Sequence, residues 1–160
     1  MKKNKLDFAK KLLSSGELVI FPTETVFGLG ADATNDRAVK SIFKVKKRPA
    51  NNPIICHFKD INQIEKYFDL SKFEKKLGSK FWPGPLTIIL KKKKNSKISK
   101  LVSNKSNLVG CRIPSNKLAN KLITSFDMPI AAPSANFSER TSVTNIMDID
   151  PILEKKIFVL

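Results

Sequence analysis

The chain has 160 residues, 41% of them hydrophobic, which is sufficient for a single domain with a buried core and excludes a disordered polypeptide. Its formal net charge of +16, from 30 basic and 14 acidic residues, favours a polyanionic partner such as a nucleotide, RNA or an acidic membrane surface. It has no apolar stretch of about 18 residues, no signal peptide and too few cysteines for a disulfide framework. The sequence therefore predicts a soluble cytoplasmic protein without a membrane span, in which Cys56 and Cys111 are buried free thiols.

Helices and strands alternate along the sequence. The predicted helices are 5–14 (ended by Gly16), 36–47, 60–68, 71–81 and 115–125, with Asp36, Asp60 and Ser71 as the expected N-caps. The predicted strands are 17–21 (stopped by Pro22), 54–58, 86–90, 108–114, the first part of 128–136, and 156–160. The lysine-rich stretch 91–100 is expected to be a solvated hairpin tip or loop. This order predicts an α/β domain with a largely buried sheet.

The helix predicted at 36–47 carries an unusual lysine. Its apolar residues recur at intervals of three and four, and Lys40, Lys44 and Lys47 share the opposite, solvent-facing side. Lys46 instead falls on the apolar stripe. Two interpretations remain open: the side chain follows the edge of the core out to water, or an anionic group meets its ammonium inside the protein.

Two predicted strands each place one potential ligand group away from the core. In 108–114, Gly110 and Arg112 share one face, and the apolar residues lie on the other. In 54–58, His57 shares the less apolar face with Ile55. The glycine beside Arg112 would let another group approach the backbone.

The inventory of reactive residues excludes several common chemistries. A single histidine argues against zinc sites and against Ser-His or Cys-His catalysis. Neither glycine-rich nucleotide fingerprint is present, and the carboxylates are few and scattered. Cations, hydroxyls and amides remain, and this set suits the binding of a phosphate ester and the stabilisation of charge at phosphorus.

Five motifs then identify a family. "PTETVFGLGADA", "KxRPxxNPIICHF", "FWPGPLTIIL", "VGCRIPSN" and "APSANFS" follow one another in this order. Their order and spacing resemble those of YrdC-like domains, the threonylcarbamoyl-AMP synthases, over about residues 5–145. The resemblance implies one YrdC-like domain over residues 1–160, with a twisted mixed sheet flanked by helices and a basic concave cleft.

The resemblance also implies an activity. The family's enzymes are nucleotidyltransferases that join ATP, L-threonine and bicarbonate (or carbon dioxide) into L-threonylcarbamoyladenylate and release pyrophosphate. A partner complex passes the threonylcarbamoyl group to the adenosine next to the anticodon of tRNA. Mg²⁺ would be carried by the ATP phosphates, and no metal held by the protein is expected.

Family roles can be carried over residue by residue. The signature residues implied to be catalytic are Lys46, Arg48, Ser134 and Asn136. Those implied to contact ATP are Arg48, Asn52, Ser134 and Ser142, and those implied to contact threonine are Thr25, His57 and Arg112. The residue types agree with these roles, because a guanidinium binds carboxylate or phosphate oxygens through two parallel hydrogen bonds.

Two departures from the family pattern stand out. Ser138-Glu139 occupies a place where the family commonly has Ser-Gly, which would put an acidic side chain near the expected phosphates. The chain also ends at Leu160, before a further Ser-Thr-rich turn and strand that typical members have, so the domain is expected to be shortened at its C-terminus. A naturally short gene, an incomplete sequence and a reduced activity all fit this ending.

Two other functions stay open at this point. A non-catalytic module that binds double-stranded RNA or tRNA fits the net charge of +16 and the shortened pocket. A carbamoyl-transfer module, like those in hydrogenase-maturation proteins, shares the domain, but the acylphosphatase and zinc-finger regions that accompany it there are absent from this sequence.

Overall fold

The computed structural model of the protein describes residues 2–138 and 140–160. The helices are α1 (Lys2–Ser14), α2 (Asp36–Lys46), α3 (Ile61–Tyr67), α4 (Lys72–Phe81), α5 (Lys117–Phe126) and α6 (Pro151–Lys156). The strands are β1 (Val19–Pro22), β2 (Phe27–Asp32), β3 (Cys56–His57), β4 (Phe68–Asp69), β5 (Ile88–Lys92), β6 (Leu108–Arg112), β7 (Ile130–Ala131) and β8 (Phe158–Val159). Two short 3-10 helices lie at Lys100–Ser103 and Ile146–Asp148.

The strands form one mixed sheet in the order β4-β5-β6-β3-β7-β2-β1-β8. Strand β3 is parallel to β6, and β1 is parallel to β8, whereas the other neighbours are antiparallel. The parallel pairing of β3 with β6 sets Cys56 opposite Cys111 and His57 opposite Arg112. The α/β class and the mixed sheet expected from the sequence are confirmed.

Helix capping agrees with the sequence except at one helix. Asp60 caps α3 and Ser71 caps α4, each by accepting a backbone N–H of the first turn, as predicted. The prediction of Asp36 as a cap was wrong by one residue. Asn35 is the N-cap of α2, and its side chain accepts two backbone N–H groups, while Asp36 is the first helical residue. A carboxylate in the first turn still favours the positive end of the helix.

Strand β2 was not predicted because its glycines give a weak strand signal. Packing explains one of them. A Cβ added at Gly30 would lie 2.7 Å from Phe21 Cε1 and 2.9 Å from Ile130 Cγ2. Glycine at this position therefore leaves room for the Phe21 ring and the Ile130 side chain.

Other element boundaries also differ from the prediction. Lys91 and Lys92 belong to β5, where they pair with β4 and β6, so the predicted lysine-rich loop begins only at residue 93. The strand predicted at 54–58 is reduced to Cys56–His57, and helix α6 was not predicted. Short elements such as these depend on partners far away in the sequence, which local patterns do not reveal.

Each face of the sheet has its own apolar core. Side chains of Ile20, Leu29, Cys56 and Cys111 pack with α2 on one face. The other face is covered by α1 and α5, and its core comprises Ala9, Leu13, Val19, Phe21, Ala119, Leu122, Ile123, Phe126, Ile130 and Ala132. Arg112 and His57 point to this second face, beyond the part that the two helices cover.

None of the described helices, from α1 to α6, is long and apolar enough to cross a membrane.

Candidate active site

Lys46 lies inside the protein, as its place on the apolar stripe predicted. It is only 1% exposed, whereas Lys40, Lys44 and Lys47 are exposed on the other side of the helix. Helix α2 ends at Lys46 because the next residue, Lys47, takes up a left-handed conformation (φ 52°). The following chain then leaves the helix towards Arg48.

The Lys46 ammonium binds the loop that carries Ser134 and Asn136. Nζ donates to the main-chain carbonyl of Ser134 (2.5 Å), to the main-chain carbonyl of Asn136, and to Asn136 Oδ1 (3.3 Å). In return, the carbonyl of Lys46 accepts the N–H of Ser138 (3.1 Å). The structure contradicts the first interpretation, because the ammonium is buried, and it differs from the second, because neutral carbonyl and amide oxygens meet the charge instead of an anionic group.

Burial, followed by the nearby charge of Arg48, lowers the pKa of Lys46 to about 8. The group therefore remains mostly protonated at neutral pH and can donate all of these hydrogen bonds. Lys46 thus serves as a charged clasp between the end of α2 and a loop 88 to 90 residues away.

Backbone pairing fixes the same loop from its other side. Ser134 forms an isolated bridge with Gly28, and the N–H of Ala135 donates to the carbonyl of Phe27 (2.7 Å). The Ser134 hydroxyl donates to Asn136 Oδ1, and Asn136 is 7% exposed. Three of the four implied signature residues, Lys46, Ser134 and Asn136, are therefore in direct contact.

Arg48 and Asn52 form a second contact. Arg48 Nη2 donates to Asn52 Oδ1 (2.7 Å) and to the carbonyl of Pro53 (2.8 Å), and Nε donates to the carbonyl of Asn52 (3.2 Å). Partial burial lowers the pKa of Arg48 from its usual value. These bonds fix the guanidinium against the exposed segment 49–53, which follows the buried end of α2.

A small cavity of about 110 Å³ brings the implied threonine residues together. It is lined by Thr23, Thr25, Val26, Gly28, Ile55, His57, Arg112, Ala132, Pro133 and Ser134. Thr25, His57 and Arg112 thus lie around one hollow, and Ser134 connects this hollow to the Lys46 loop.

The guanidinium of Arg112 is held on several sides. Nε and Nη2 both donate to Thr87 Oγ1, at 3.1 and 2.9 Å. Nη1 donates to Thr25 Oγ1 (3.1 Å) and lies 3.4 Å from Glu24 Oε1. The second Glu24 oxygen accepts the N–H of Ser115 (3.0 Å). Glu24 thus supplies a nearby negative charge to a largely buried arginine.

His57 is buried, and its ring meets Phe21 edge-on at a centroid distance of 6.0 Å. Among the residues that the structure describes, none forms a hydrogen bond with His57 Nδ1. Burial, followed by the positive charge of Arg112, lowers the pKa of His57 to about 3, with a small opposing effect from the backbone of Ile130. The imidazole is therefore neutral at physiological pH, and the ring is part of the cavity lining.

Ser142 lies apart from this group. It lines a hollow of about 530 Å³ together with Arg140 and Thr141. These two residues also line a neighbouring hollow of about 290 Å³ that reaches Asn136. Glu139, which the sequence placed near the expected phosphates, is outside the described residues.

Sequence reasoning missed Thr87 and Glu24. Both lie within the motifs "FWPGPLTIIL" and "PTETVFGLGADA", but their contact with Arg112 spans 25 and 88 residues. The only signal was the motif itself. In the described part of the chain, no three His, Cys, Asp or Glu side chains lie close enough together to hold a metal ion.

Both cysteines are buried and free, as predicted. Burial raises the pKa of the Cys56 thiol and of the Cys111 thiol well above the usual value. Neither thiol is therefore a candidate nucleophile.

Comparison with known proteins places the fold and the motifs in a family. The family model Sua5_yciO_yrdC, described as telomere recombination, matches residues 11–160. A threonylcarbamoyl-AMP synthase of Pyrococcus abyssi is 42% identical over 142 residues, which cover 88% of this chain and 41% of that protein. A putative threonylcarbamoyl-AMP synthase of Methanocaldococcus jannaschii is 38% identical over 156 residues, covering 98% of this chain and 72% of that protein.

A solved structure agrees. The crystal structure of P. abyssi Sua5 complexed with L-threonine matches with a TM-score of 0.91 and 39% identity, covering 96% of this chain and 45% of that one. This chain therefore spans less than half the length of the P. abyssi protein. The matched family model, the relatives and the shared architecture lead to one conclusion: the chain belongs to the Sua5/YciO/YrdC family.

Proposed function

We propose that this domain is an L-threonylcarbamoyladenylate synthase. It would form threonylcarbamoyl-AMP and pyrophosphate from ATP, L-threonine and bicarbonate. One observation carries the proposal: the Lys46 ammonium binds the loop of Ser134, and Ser134 lines the same cavity as Arg112 and His57. A nucleotide-binding edge and an amino-acid cavity would thus meet at one loop. The threonine-bound P. abyssi structure supports this assignment.

On the threonine side, the Arg112 guanidinium would bind the substrate carboxylate. It is already oriented, and the Nη2 hydrogen that Thr87 does not use can bind a carboxylate oxygen. The neutral imidazole of His57, which lines the cavity, would accept a hydrogen bond from the substrate amine or hydroxyl. Thr25 Oγ1, which accepts from Arg112, would define one wall of the cavity.

On the nucleotide side, Arg48, Asn52, Ser134 and Ser142 would contact ATP. Arg48 has the geometry to bind phosphate oxygens once its present partners exchange. Lys46 and Asn136 would act mainly by holding the Ser134 loop in place, since their polar groups are bound to one another. Mg²⁺ would be bound by the ATP phosphates and by water, which requires few protein ligands.

The reaction would then proceed in two steps. The neutral amine of threonine adds to carbon dioxide with loss of a proton, or to bicarbonate with loss of water, to form a carbamate. A carbamate oxygen attacks the α-phosphorus of ATP, a new O–P bond forms, and the bond to the bridging oxygen breaks. Pyrophosphate leaves with the electron pair of that bond. Fixed cations near the phosphates would stabilise the developing charge.

The cellular context is part of the proposal. The product would serve a tRNA threonylcarbamoyl-transferring complex that modifies the adenosine next to the anticodon, in the cytoplasm. Direct contact with tRNA or double-stranded RNA would use the lysines that produce the net charge of +16.

The test is threonine-dependent release of pyrophosphate by the purified, folded chain in the presence of ATP, Mg²⁺ and bicarbonate. Omission of threonine or bicarbonate provides the controls. Pyrophosphate release only in the complete mixture would support the proposal, and its absence from well-folded protein would remove the catalytic assignment.

Two binding measurements distinguish the RNA-binding alternative from the synthase. Isothermal titration with ATP and fluorescence titration with double-stranded RNA are performed at several salt concentrations. Tight RNA binding without ATP binding would favour a non-catalytic module, because phosphate-backbone contacts alone would then explain the charge.

A further inference from the structure

We propose that Thr87 is a positioning residue, which orients the Arg112 guanidinium for the carboxylate of the amino-acid substrate. The proposal rests on the proposed function only for the identity of that substrate. Thr87 itself is not part of the cavity lining and would act entirely through Arg112.

The geometry of the contact is specific. A single hydroxyl oxygen, Thr87 Oγ1, accepts from Nε at 3.1 Å and from Nη2 at 2.9 Å, so it faces one edge of the planar guanidinium. Two hydrogen bonds on one edge fix the plane of the group as well as its position. At Nη2, the described residues supply no acceptor other than Thr87, which leaves donor capacity for a ligand.

A glycine makes this contact possible. A Cβ added at Gly110 would lie 3.1 Å from the methyl carbon of Thr87 and 3.5 Å from Ile55 Cγ1. Gly110 is opposite Ile89 in the β5–β6 ladder and two residues before Arg112. The space beside Arg112 that the sequence suggested is therefore filled by the Thr87 methyl group.

Glu24 completes the arrangement on another side. Its carboxylate lies 3.4 Å from Arg112 Nη1 and is itself held by the N–H of Ser115. Arginine side chains have many rotamers, and fixing them costs conformational entropy on binding. Thr87 and Glu24 remove most of that freedom before the substrate arrives.

The first experiment compares Thr87→Val with Thr87→Ser. Valine keeps the shape but lacks the hydroxyl, whereas serine keeps the hydroxyl and lacks the methyl. Titration calorimetry should show that Thr87→Val weakens L-threonine binding about tenfold, while Thr87→Ser stays within about threefold of the wild type. ATP affinity should remain within about twofold in both variants.

A double-mutant cycle tests whether Thr87 acts through the guanidinium. In an Arg112→Lys background the Nε and Nη2 donors are gone, so Thr87→Val should add little further loss. The exposed residue Thr124 of α5 provides a matched control, because Thr124→Val should change neither affinity. Gly110→Ala should weaken threonine binding, because the new Cβ would displace the Thr87 methyl group. The double variant Gly110→Ala/Thr87→Ser should regain threonine affinity, because serine has no methyl group at that place.

A measurement without any ligand tests the role of Thr87 independently of the proposed function. The chain has only four arginines (Arg37, Arg48, Arg112 and Arg140), so the Arg112 Nε–H signal can be identified by NMR from its loss in Arg112→Lys. Its hydrogen exchange should accelerate in Thr87→Val and not in Thr87→Ser. If the wild type binds no threonine, the proposed function fails, while this exchange result still tests the orientation of Arg112.

Three results would overturn the inference: wild-type threonine affinity in Thr87→Val, equal losses in Thr87→Val and Thr87→Ser, or a parallel loss of ATP affinity. Unchanged exchange of the Arg112 Nε–H would also contradict it.

Discussion

Lys46 donates to both the main-chain carbonyl and the side-chain Oδ1 of Asn136, 90 residues further along the chain. The two residues belong to motifs that are distant in sequence, and this contact locks the end of α2 to the loop after β7. Because the Lys46 ammonium is almost completely buried, we expect it to affect both activity and stability, and these two effects are measured by different experiments.

Replacing Lys46 by alanine should remove the clasp. We expect at least about 2 kcal/mol of transition-state stabilisation to be lost, because the Ser134 loop loses its anchor. Threonine-dependent pyrophosphate release measures this effect as kcat/KM. Lys44→Ala, an exposed lysine of the same helix, is the matched control and should retain normal turnover. Wild-type turnover in Lys46→Ala would contradict the assigned role.

Replacing Arg48 by alanine should also cost at least about 2 kcal/mol, because a donor to the phosphates is lost. The loss should include weaker ATP binding, while threonine affinity stays unchanged. Calorimetric titration with each substrate separates the two effects. Arg37→Ala, an exposed arginine at the start of α2, serves as the comparison. Equal losses for ATP and threonine would indicate a general structural defect instead.

The pKa of Lys46 predicts a pH dependence of stability. The folded-state value is about 8, below the ordinary 10.5, so the unfolded chain binds more protons between these values. The free energy of unfolding contributed by this group should therefore rise with pH across this window and be constant below it. Urea unfolding of the wild type and Lys46→Met, at several pH values from neutral to alkaline, measures the difference. A wild-type advantage that shrinks as the pH rises would have the wrong sign.

The pKa of His57 predicts how stability depends on pH in the acidic range. Its folded pKa of about 3 means that the ring stays neutral where an unfolded histidine, with a pKa of 6.5, becomes protonated. Stability should therefore decrease as the pH falls below 6.5, because the unfolded state takes up the proton. As this is the only histidine, NMR should follow a single imidazole whose shift stays constant through mildly acidic pH. A titration midpoint near 6.5 would show that the ring is exposed.

Two glycines of β2 offer a matched stability test. Gly30→Ala should reduce the free energy of unfolding by about 1–3 kcal/mol, because the new methyl overlaps the Phe21 ring. Gly28→Ala should cost less, since its Cβ would lie 3.2 Å from Ala132 Cβ and 3.5 Å from Phe21. Urea unfolding of both variants measures the order, and an equal or reversed cost would contradict the packing described here.

The sequence predicted which side chains turn inward. Helical spacing placed Lys46 on the buried side, and strand alternation placed His57 and Arg112 on the sheet face opposite Cys56 and Cys111. The second face has an apolar core of its own, so the expectation that His57 points away from the core was wrong. These conclusions depend only on local periodicity, so they did not require knowledge of tertiary contacts. The grouping of Thr25, His57 and Arg112 followed from the family resemblance, and the structure brings these residues to one cavity.

Contacts across long sequence separations were not predictable. The ammonium of Lys46 was expected to reach phosphates, but its hydrogen bonds go to the loop carbonyls. Thr87 and Glu24 carried no local signal for binding Arg112, and β2 was missed because glycines hide its strand character. In each case the deciding interaction joins two segments that lie far apart in the sequence, and local sequence patterns do not show that such segments meet.

The register of β3 against β6 has a practical consequence. Cys56 faces Cys111, and the next residue on each strand, His57 or Arg112, points the opposite way. A slip by one residue would turn the thiols towards the cavity and the guanidinium towards the apolar core beneath α2, so the register at the cavity cannot change without disturbing that core. The rate at which a thiol reagent labels Cys56 and Cys111 in the native protein would therefore report how often β3 and β6 open locally beside the cavity. This measurement needs no engineered probe.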